Sequence, residues 1–138
     1  MFTILSDINW FSVLLSFLAY FFLGALWFTA LFKKAYLTSL GNNKESHSNT
    51  KPIFIIGPAI CSLIITITTA ILFYSLEISS IKEAFIFSML IGNGYLVANT
   101  VNIAINPNIP HPLFYGLISG TYHLVGILIV CSILMYMR

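Results

Sequence analysis

Four long apolar stretches constrain the fold of this chain more than any other feature of its sequence. Each is about 25 residues long, which is enough for a helix to cross a hydrocarbon core of about 30 Å. Only 7% of the residues are charged, whereas soluble domains typically have roughly 25%. We therefore predict an all-α membrane protein, a single domain whose four transmembrane helices form an antiparallel bundle with both termini on the same side. The predicted spans cover residues 8–32, 52–76, 81–105 and 112–137.

Basic residues indicate how the chain is oriented in the membrane. The polar loop of residues 33–51 contains Lys33, Lys34, Lys44 and Lys51. Loops rich in lysine and arginine stay on the cytoplasmic side. We therefore predict that this loop is cytoplasmic and that both termini lie outside. The abundance of Ile, Asn, Lys and Ser is typical of AT-rich bacterial genomes, which points to a bacterial inner membrane.

Four residues near the ends of the first span are predicted to anchor it at the membrane surface. Trp10 and Trp27 lie near its two ends, where aromatic side chains meet the lipid headgroups. Lys33 and Lys34 begin an amphipathic segment that is predicted to lie on the same interface. These residues are the predicted interface anchors.

The starts of the helices carry capping signals. Asp7 is placed to cap the first span, where its negative charge would face the positive end of the helix dipole. Thr50 is placed to cap the second span, and Ser80 with Glu83 forms a capping box for the third. Pro112 is predicted to begin the fourth span, because the first turn of a helix tolerates a missing N–H.

A line of polar and small residues runs through the third span. Spacings of four and three keep such residues on one face of a continuous helix. Lipid offers amide side chains no hydrogen-bond partner, so this face must meet protein or water. The polar line consists of Ser88, Gly92, Tyr95, Asn99, Asn102 and Asn106.

Small residues of the fourth span offer a surface to the polar line. Gly116 and Gly120 form a GxxxG pattern, which lets helix backbones approach closely. Counted from the short connection at about 1.5 Å per residue, Tyr95 and His123 lie at the same depth. We therefore predict that the polar line packs against this glycine face, with Tyr95 beside His123. The predicted helix-packing residues are Gly92, Gly116, Ser119, Gly120 and Gly126.

His123 is the only ionisable residue near the membrane midplane, and such residues are candidates for function. It permits three interpretations: a neutral imidazole bonded to Tyr95, Ser119 or a backbone carbonyl, a proton relay, or a ligand of a metal or haem. His47 and His111 lie in loops, and a structural metal site needs three or four converging ligands. No metal and no cofactor is therefore predicted.

The asparagines of the polar line permit two interpretations. As a packing seam, each interhelical hydrogen bond would contribute about 0.6 to 2 kcal/mol. As a wet cavity, Asn99, Asn102 and Asn106 would line a vestibule that opens toward the cytoplasm. The sequence has no phosphate loop, no closely paired carboxylates and no Ser/His/Asp set, and its net charge of +2 is too small to suggest nucleic acid. The chain is therefore predicted not to be an enzyme.

The end of the first span resembles a motif of the domain-of-unknown-function 1761 family of small bacterial membrane proteins. Phe28, Ala30 and Tyr36 stand where that family has tyrosine, proline and tryptophan, and Tyr122–His123 lies where the family has a similar pair. The resemblance implies a four-helix membrane protein without a known substrate, and it favours Trp27 and His123 as functional residues. The matching residues are Gly24, Ala25, Leu26, Trp27, Thr29, Phe32 and Gly41.

These observations favour a small integral membrane protein that acts by packing. We expect a non-enzymatic assembly module, in a homo-oligomer or with a larger membrane partner. The alternative is a small-solute or ion pathway formed by an oligomer and lined by the span-three asparagines and His123. The lipid bilayer is a predicted partner in both cases, and nucleic acid in neither.

Overall fold

All regular structure in the described part of the chain is helical. The structure is a computed structural model that describes residues 2–42 and 51–138. Four of its helices are long and apolar enough to cross a membrane, which confirms the predicted fold class. The antiparallel bundle and the common side of the termini stay predictions. The candidate spans, numbered one to four, are Trp10–Leu31, Ile53–Ser75, Ile81–Ala104 and Pro112–Tyr136.

Spans one and three each contain a π-helical turn. Span one is α-helical over Trp10–Leu26 and continues as a π-helical turn over Trp27–Leu31. Span three is α-helical over Ile81–Ile91 and Ala98–Ala104, with a π-helical turn over Gly92–Val97 between them. Such turns add a residue to one helical turn, so they rotate every later side chain around the helix axis. A 3₁₀ helix, Phe2–Ser6, and a short α-helix, Lys33–Ser39, complete the described helices.

The observed caps agree with the sequence signals at two starts and differ at one. Ser80 and Glu83 form the predicted capping box, and span four begins at Pro112 as predicted. The prediction that Asp7 caps span one is wrong, because the side chain of Asn9 accepts hydrogen bonds from the first turn instead. The helix begins at Trp10, so the N-cap position is Asn9, and Asp7 lies two residues before it.

Three residues used for the predictions above lie outside the described residues. These are Lys44 and His47 of the polar loop and Thr50, the predicted cap of span two. Within the described part of the loop, Lys33 and Lys34 begin the short helix and are exposed. That helix ends before Gly41, whose positive φ of 73° is the conformation that stops helices.

Span four is the centre of the helix packing. Half of its most apolar window is buried, 50%, against 28%, 22% and 22% for spans one, two and three. It contacts all three other spans along their lengths or at one end. Glycines on two sides of span four permit close approach of its neighbours, since Gly116 and Gly120 face span three while Gly126 faces span one. Spans one and three therefore both pack on span four, while span two packs against spans one and four together.

Spans one and four run past each other in opposite directions. Near one end, the Asn9 Nδ2 donates to the Met137 carbonyl at 2.7 Å. Near the other end, the Trp27 Nε1 donates to the Ile118 carbonyl at 3.1 Å. Between these two hydrogen bonds, Gly126 lies against the ring of Tyr20. The residue number therefore falls along one span as it rises along the other.

Asn9 joins three helix ends at once. Its side-chain oxygen accepts from the Phe11 and Ser12 amides at 3.1 and 3.3 Å. Its own amide N–H donates to the Tyr74 hydroxyl at 3.2 Å, and its Nδ2 reaches Met137. The start of span one is thus tied to the ends of spans two and four.

We expect Asn9→Ala to lower the free energy of unfolding by about 1 to 2 kcal/mol, because the variant loses a cap and an interhelical hydrogen bond. Asp7→Ala is the matched control, since Asp7 is exposed and does not cap the helix. It should change the stability by less than about 0.5 kcal/mol. Unfolding in mixed detergent–SDS micelles measures both values. A larger effect at Asp7 than at Asn9 would contradict the observed cap.

Candidate functional site

A tyrosine–histidine pair lies at the middle of the contact between spans one and four. The Tyr20 hydroxyl lies 2.5 Å from the His123 Nδ1, a hydrogen bond whose direction depends on the imidazole tautomer. Tyr20 is fully buried, and its ring occupies the space that Gly126 leaves open. The prediction that His123 lies beside Tyr95 is wrong. Tyr95 is 70% exposed, and the partner of His123 comes from span one.

Aromatic rings surround this pair on one side. The Tyr122 ring centroid lies 4.7 Å from that of His123, 5.3 Å from that of Tyr20 and 5.2 Å from that of Phe28. The cluster continues outside the spans to Tyr36, which packs edge-on against Phe28 at 4.9 Å. Burial raises the pKa of Tyr36 to about 12, so its hydroxyl stays protonated at physiological pH.

Trp27 belongs to this cluster and does not anchor span one at the membrane surface. Its side chain is only 8% exposed, and its indole N–H donates to the Ile118 carbonyl inside the structure. The prediction that it is an interface anchor is therefore wrong, because the buried indole finds its polar partner in span four. Trp10 is half-exposed and donates to the Leu5 carbonyl at 3.1 Å. A surface role for Trp10, Lys33 and Lys34 stays a prediction.

Two buried serines flank the tyrosine–histidine pair. Ser16 lies one turn before Tyr20 on span one, and Ser119 lies one turn before His123 on span four. Both side chains are buried, and neither hydroxyl has a hydrogen-bond partner among the described residues. Other span hydroxyls, such as that of Ser88, donate to a carbonyl one turn back in their own helix.

The π-helical turn of span three divides the polar line. Ser88 and Gly92 precede or begin this turn and are buried as predicted for a packing face. Beyond it, Tyr95, Asn99 and Asn102 are exposed. The prediction that the polar line packs as a unit against the glycines of span four is therefore wrong.

Valines replace the asparagines at the contact between spans three and four. Val97 packs against Gly120, and Val101 packs against Gly116. The extra residue of the π-helical turn shifts the packing positions by one, and this rotates Asn99 by about 100° away from the contact with span four. Gly92 remains in contact, against side chains of span four.

The asparagines beyond the turn differ in their surroundings. Asn99 and Asn102 make no side-chain hydrogen bond with any described residue and face outward. Asn106 is half-buried at the end of span three, where its Nδ2 donates to the Ile103 carbonyl at 2.6 Å. The Asn106 Oδ1 accepts from the Asn108 backbone N–H at 2.9 Å, so the side-chain amide of Asn106 has local hydrogen-bond partners.

The chemistry available to these groups is hydrogen bonding. In residues 2–42 and 51–138, no three His, Cys, Asp or Glu side chains converge as metal ligands would. A groove of about 370 Å³ runs beside the contact between spans three and four, and mainly apolar side chains line it. Asn93 and Thr121 are its polar members, and both already donate to carbonyls of their own helix.

Tyr20 and Ser16 are site residues that the sequence predictions missed. Span one carries its own periodic signal, since Ser12, Ser16, Tyr20 and Gly24 recur every four residues. Such a spacing places small and polar side chains on one helix face. The same rule that selected the polar line of span three would have found this face, and here no π-helical turn interrupts it.

Comparisons with known proteins identify one family. The family model described as a protein of unknown function, DUF1761, matches residues 11–135. The match includes both the tyrosine–histidine pair and the outward asparagines. No curated protein matches the chain, and no solved structure matches it either.

We expect Gly126→Ala to lower the free energy of unfolding by about 1 to 3 kcal/mol, because the added methyl group overlaps the buried Tyr20 ring. Gly94→Ala is the matched control, since a Cβ built on this helical glycine meets no atom within 4 Å. That control should be neutral or slightly stabilising, as alanine favours helix over glycine. Unfolding titrations of both variants check this, and equal stabilities would contradict the close contact.

Proposed function

We propose, from the premise that the chain belongs to the DUF1761 family of proteins of unknown function, that it is a non-enzymatic assembly module in the membrane. Its family membership confirms the resemblance seen at the end of span one. The partner in this proposal is a second copy of the chain, which binds through span three. The proposed interface is one exposed face of span three, which we call the outward face. It consists of Gly94, Tyr95, Ala98, Asn99 and Asn102.

The single observation that carries the proposal is the outward orientation of Asn99 and Asn102. Both amides lie on a helix that also exposes large apolar side chains, including Leu90 and Ile103 at 65% and 59% exposure. An unpaired amide in hydrocarbon costs several kcal/mol, roughly 2 to 7. A hydrogen bond to another membrane helix offsets part of this cost and contributes about 0.6 to 2 kcal/mol. Association of the outward face with protein is therefore favoured over contact with lipid.

The chemistry of the outward face favours a second copy as the partner. A carboxamide has both donor and acceptor atoms, so the same asparagine from two copies can form mutual hydrogen bonds. A two-fold interface brings identical patches together and requires this kind of self-complementarity. Charged side chains, which would repel their own copies, are absent from the outward face.

Small residues on the outward face support close approach of two helices. Gly94 and Ala98 are four residues apart, the small-xxx-small spacing found where membrane helices cross closely. A Cβ built on Gly94 meets no atom within 4 Å, so its backbone is open to a neighbour. Tyr95 beside them has a hydroxyl that can bond across the interface.

A small-solute or ion pathway is the alternative assembly. Its proposed lining combined His123 with the asparagines of span three. His123 is bonded to Tyr20 between spans one and four, whereas Asn99 and Asn102 are on the far side of span three. One chain therefore does not bring the two groups to a common path. This geometry supports the packing function over the pathway.

The environment of the protein is part of the proposal. The four apolar spans indicate an integral membrane protein. We place it in a bacterial inner membrane, with the termini outside and residues 33–51 in the cytoplasm. The lysines of the loop support this orientation.

We expect the double variant Asn99→Leu/Asn102→Leu to weaken self-association in lipid vesicles by about tenfold or more, which corresponds to about 1.4 kcal/mol. Förster transfer between labelled copies, titrated against the protein-to-lipid ratio, measures the dissociation constant. Asn93→Leu is the control, since Asn93 donates to the Met89 carbonyl of its own helix at 2.9 Å. Its association should match that of the unaltered chain.

Two results would contradict the proposal. One is an unaltered chain that remains monomeric at high protein-to-lipid ratios. The other is a double variant that associates as tightly as the unaltered chain. Solute flux through vesicles that is lost in the double variant while association persists would favour the pathway instead.

A further inference from the structure

We propose that ordered water molecules bind within the contact of spans one and four, in a file of polar side chains formed by Ser16, Tyr20, His123 and Ser119. This water site goes beyond the assembly function. It depends on the interior of a single chain, so it is independent of what covers the outward face of span three.

The opposite directions of spans one and four arrange these side chains in a file. Ser16 lies one turn from Tyr20 toward the end where Asn9 meets Met137. Ser119 lies one turn from His123 toward the opposite end. Four residues rise by about 6 Å along an α-helix. The order along the axis is therefore Ser16, Tyr20, His123 and Ser119.

The centre of the file is closed by a direct hydrogen bond, and its two ends are open. Tyr20 and His123 are joined at 2.5 Å. Whichever tautomer this hydrogen bond selects, the second imidazole nitrogen, Nε2, has no hydrogen bond to any described residue. The Ser16 and Ser119 hydroxyls are likewise without a partner in the described chain. The Ser16 hydroxyl, the Ser119 hydroxyl and the His123 Nε2 are thus three polar atoms without a hydrogen bond to a described residue, around the bonded Tyr20–His123 pair.

These serines differ from three other buried hydroxyls of the spans. The hydroxyls of Ser62, Thr66 and Ser88 are also buried, and each donates to a carbonyl of the preceding turn at 2.8 to 3.0 Å. Ser16 is 0% and Ser119 4% exposed, yet neither makes such a bond. Buried polar groups without protein partners are commonly bonded to internal water.

Water matches the spacing and the chemistry of the file. A water molecule that makes two hydrogen bonds of about 2.8 Å spans about one helical turn. Serine hydroxyls and an imidazole nitrogen can each donate to or accept from it. One water beside Ser16 and Tyr20, and another beside Ser119 and His123, would extend the hydrogen-bonded file across the centre of the bundle.

Water-edited solid-state NMR of the intact protein in lipid bilayers tests the water site. We expect magnetisation to pass from water to the side chains of Ser16, Ser119 and His123 at short mixing times. Ser88 is the matched control, because it is equally buried but bonded to the Phe85 carbonyl. It should receive little. Transfer to Ser16 and Ser119 that is as weak as transfer to Ser88 would overturn the proposal.

A variant gives a second, independent readout. In Ser119→Ala we expect the water transfer to His123 to be roughly halved, because the water bound beside His123 loses a partner. An unchanged ¹⁵N shift of the His123 Nδ1 would show that the bond to Tyr20 persists. Ser88→Ala should leave the transfer to His123 unaltered. If Ser119→Ala leaves it unaltered as well, the water beside His123 is ruled out. The measurement on the unaltered chain stands even if the variant fails to fold.

Discussion

Hydrocarbon offers no hydrogen bonds, so every polar side chain of the spans must find its partner in protein or in bound water. Most of them do so within one chain. Span hydroxyls such as that of Thr66 donate to their own helix, and the Trp27 indole reaches a carbonyl of span four. Among the polar side chains that make no hydrogen bond to a described residue, Asn99 and Asn102 face outward, whereas Ser16 and Ser119 are buried.

Span four connects these features because small residues let its neighbours approach on two sides. Gly116 and Gly120 receive the valines of span three, while Gly126 receives the ring of Tyr20. The close contact with span one positions the Tyr20 hydroxyl at His123. The contact between spans one and four thus contains aromatic rings and one tyrosine–histidine hydrogen bond, whereas the amides of Asn99 and Asn102 face outward. The proposed assembly through the outward face depends on this division.

Much of the fold was predictable because it follows from properties of continuous segments. Span length, the capping box at Ser80 and the start at Pro112 depend on local sequence, and each is confirmed. Tyr20 was also within reach, since it lies on a face with four-residue spacing. The importance of Trp27 was implied by family resemblance, but its buried position was not.

The orientation of the polar line could not be predicted from spacing alone. The rule assumes a constant number of residues per turn, and the π-helical turn at Gly92–Val97 breaks that assumption. After the turn, span three meets span four through Val97 against Gly120 and Val101 against Gly116. The rule held up to Gly92 and failed at Tyr95, where the extra residue takes effect. A one-residue shift there changes an inward asparagine seam into an outward one.

Disulfide formation between spans three and four tests this shift most directly. With Cys61 and Cys131 replaced by alanine, paired cysteines are introduced at Val97 and Gly120 or at Asn99 and Gly120. A Cβ placed on the Gly120 backbone would lie 3.8 Å from the Val97 Cβ, within the range of about 3.5 to 4.5 Å that a disulfide requires. We predict rapid oxidation of the Val97→Cys/Gly120→Cys pair in the membrane and none of the Asn99→Cys/Gly120→Cys pair. Oxidation of the asparagine-site pair alone would contradict the account.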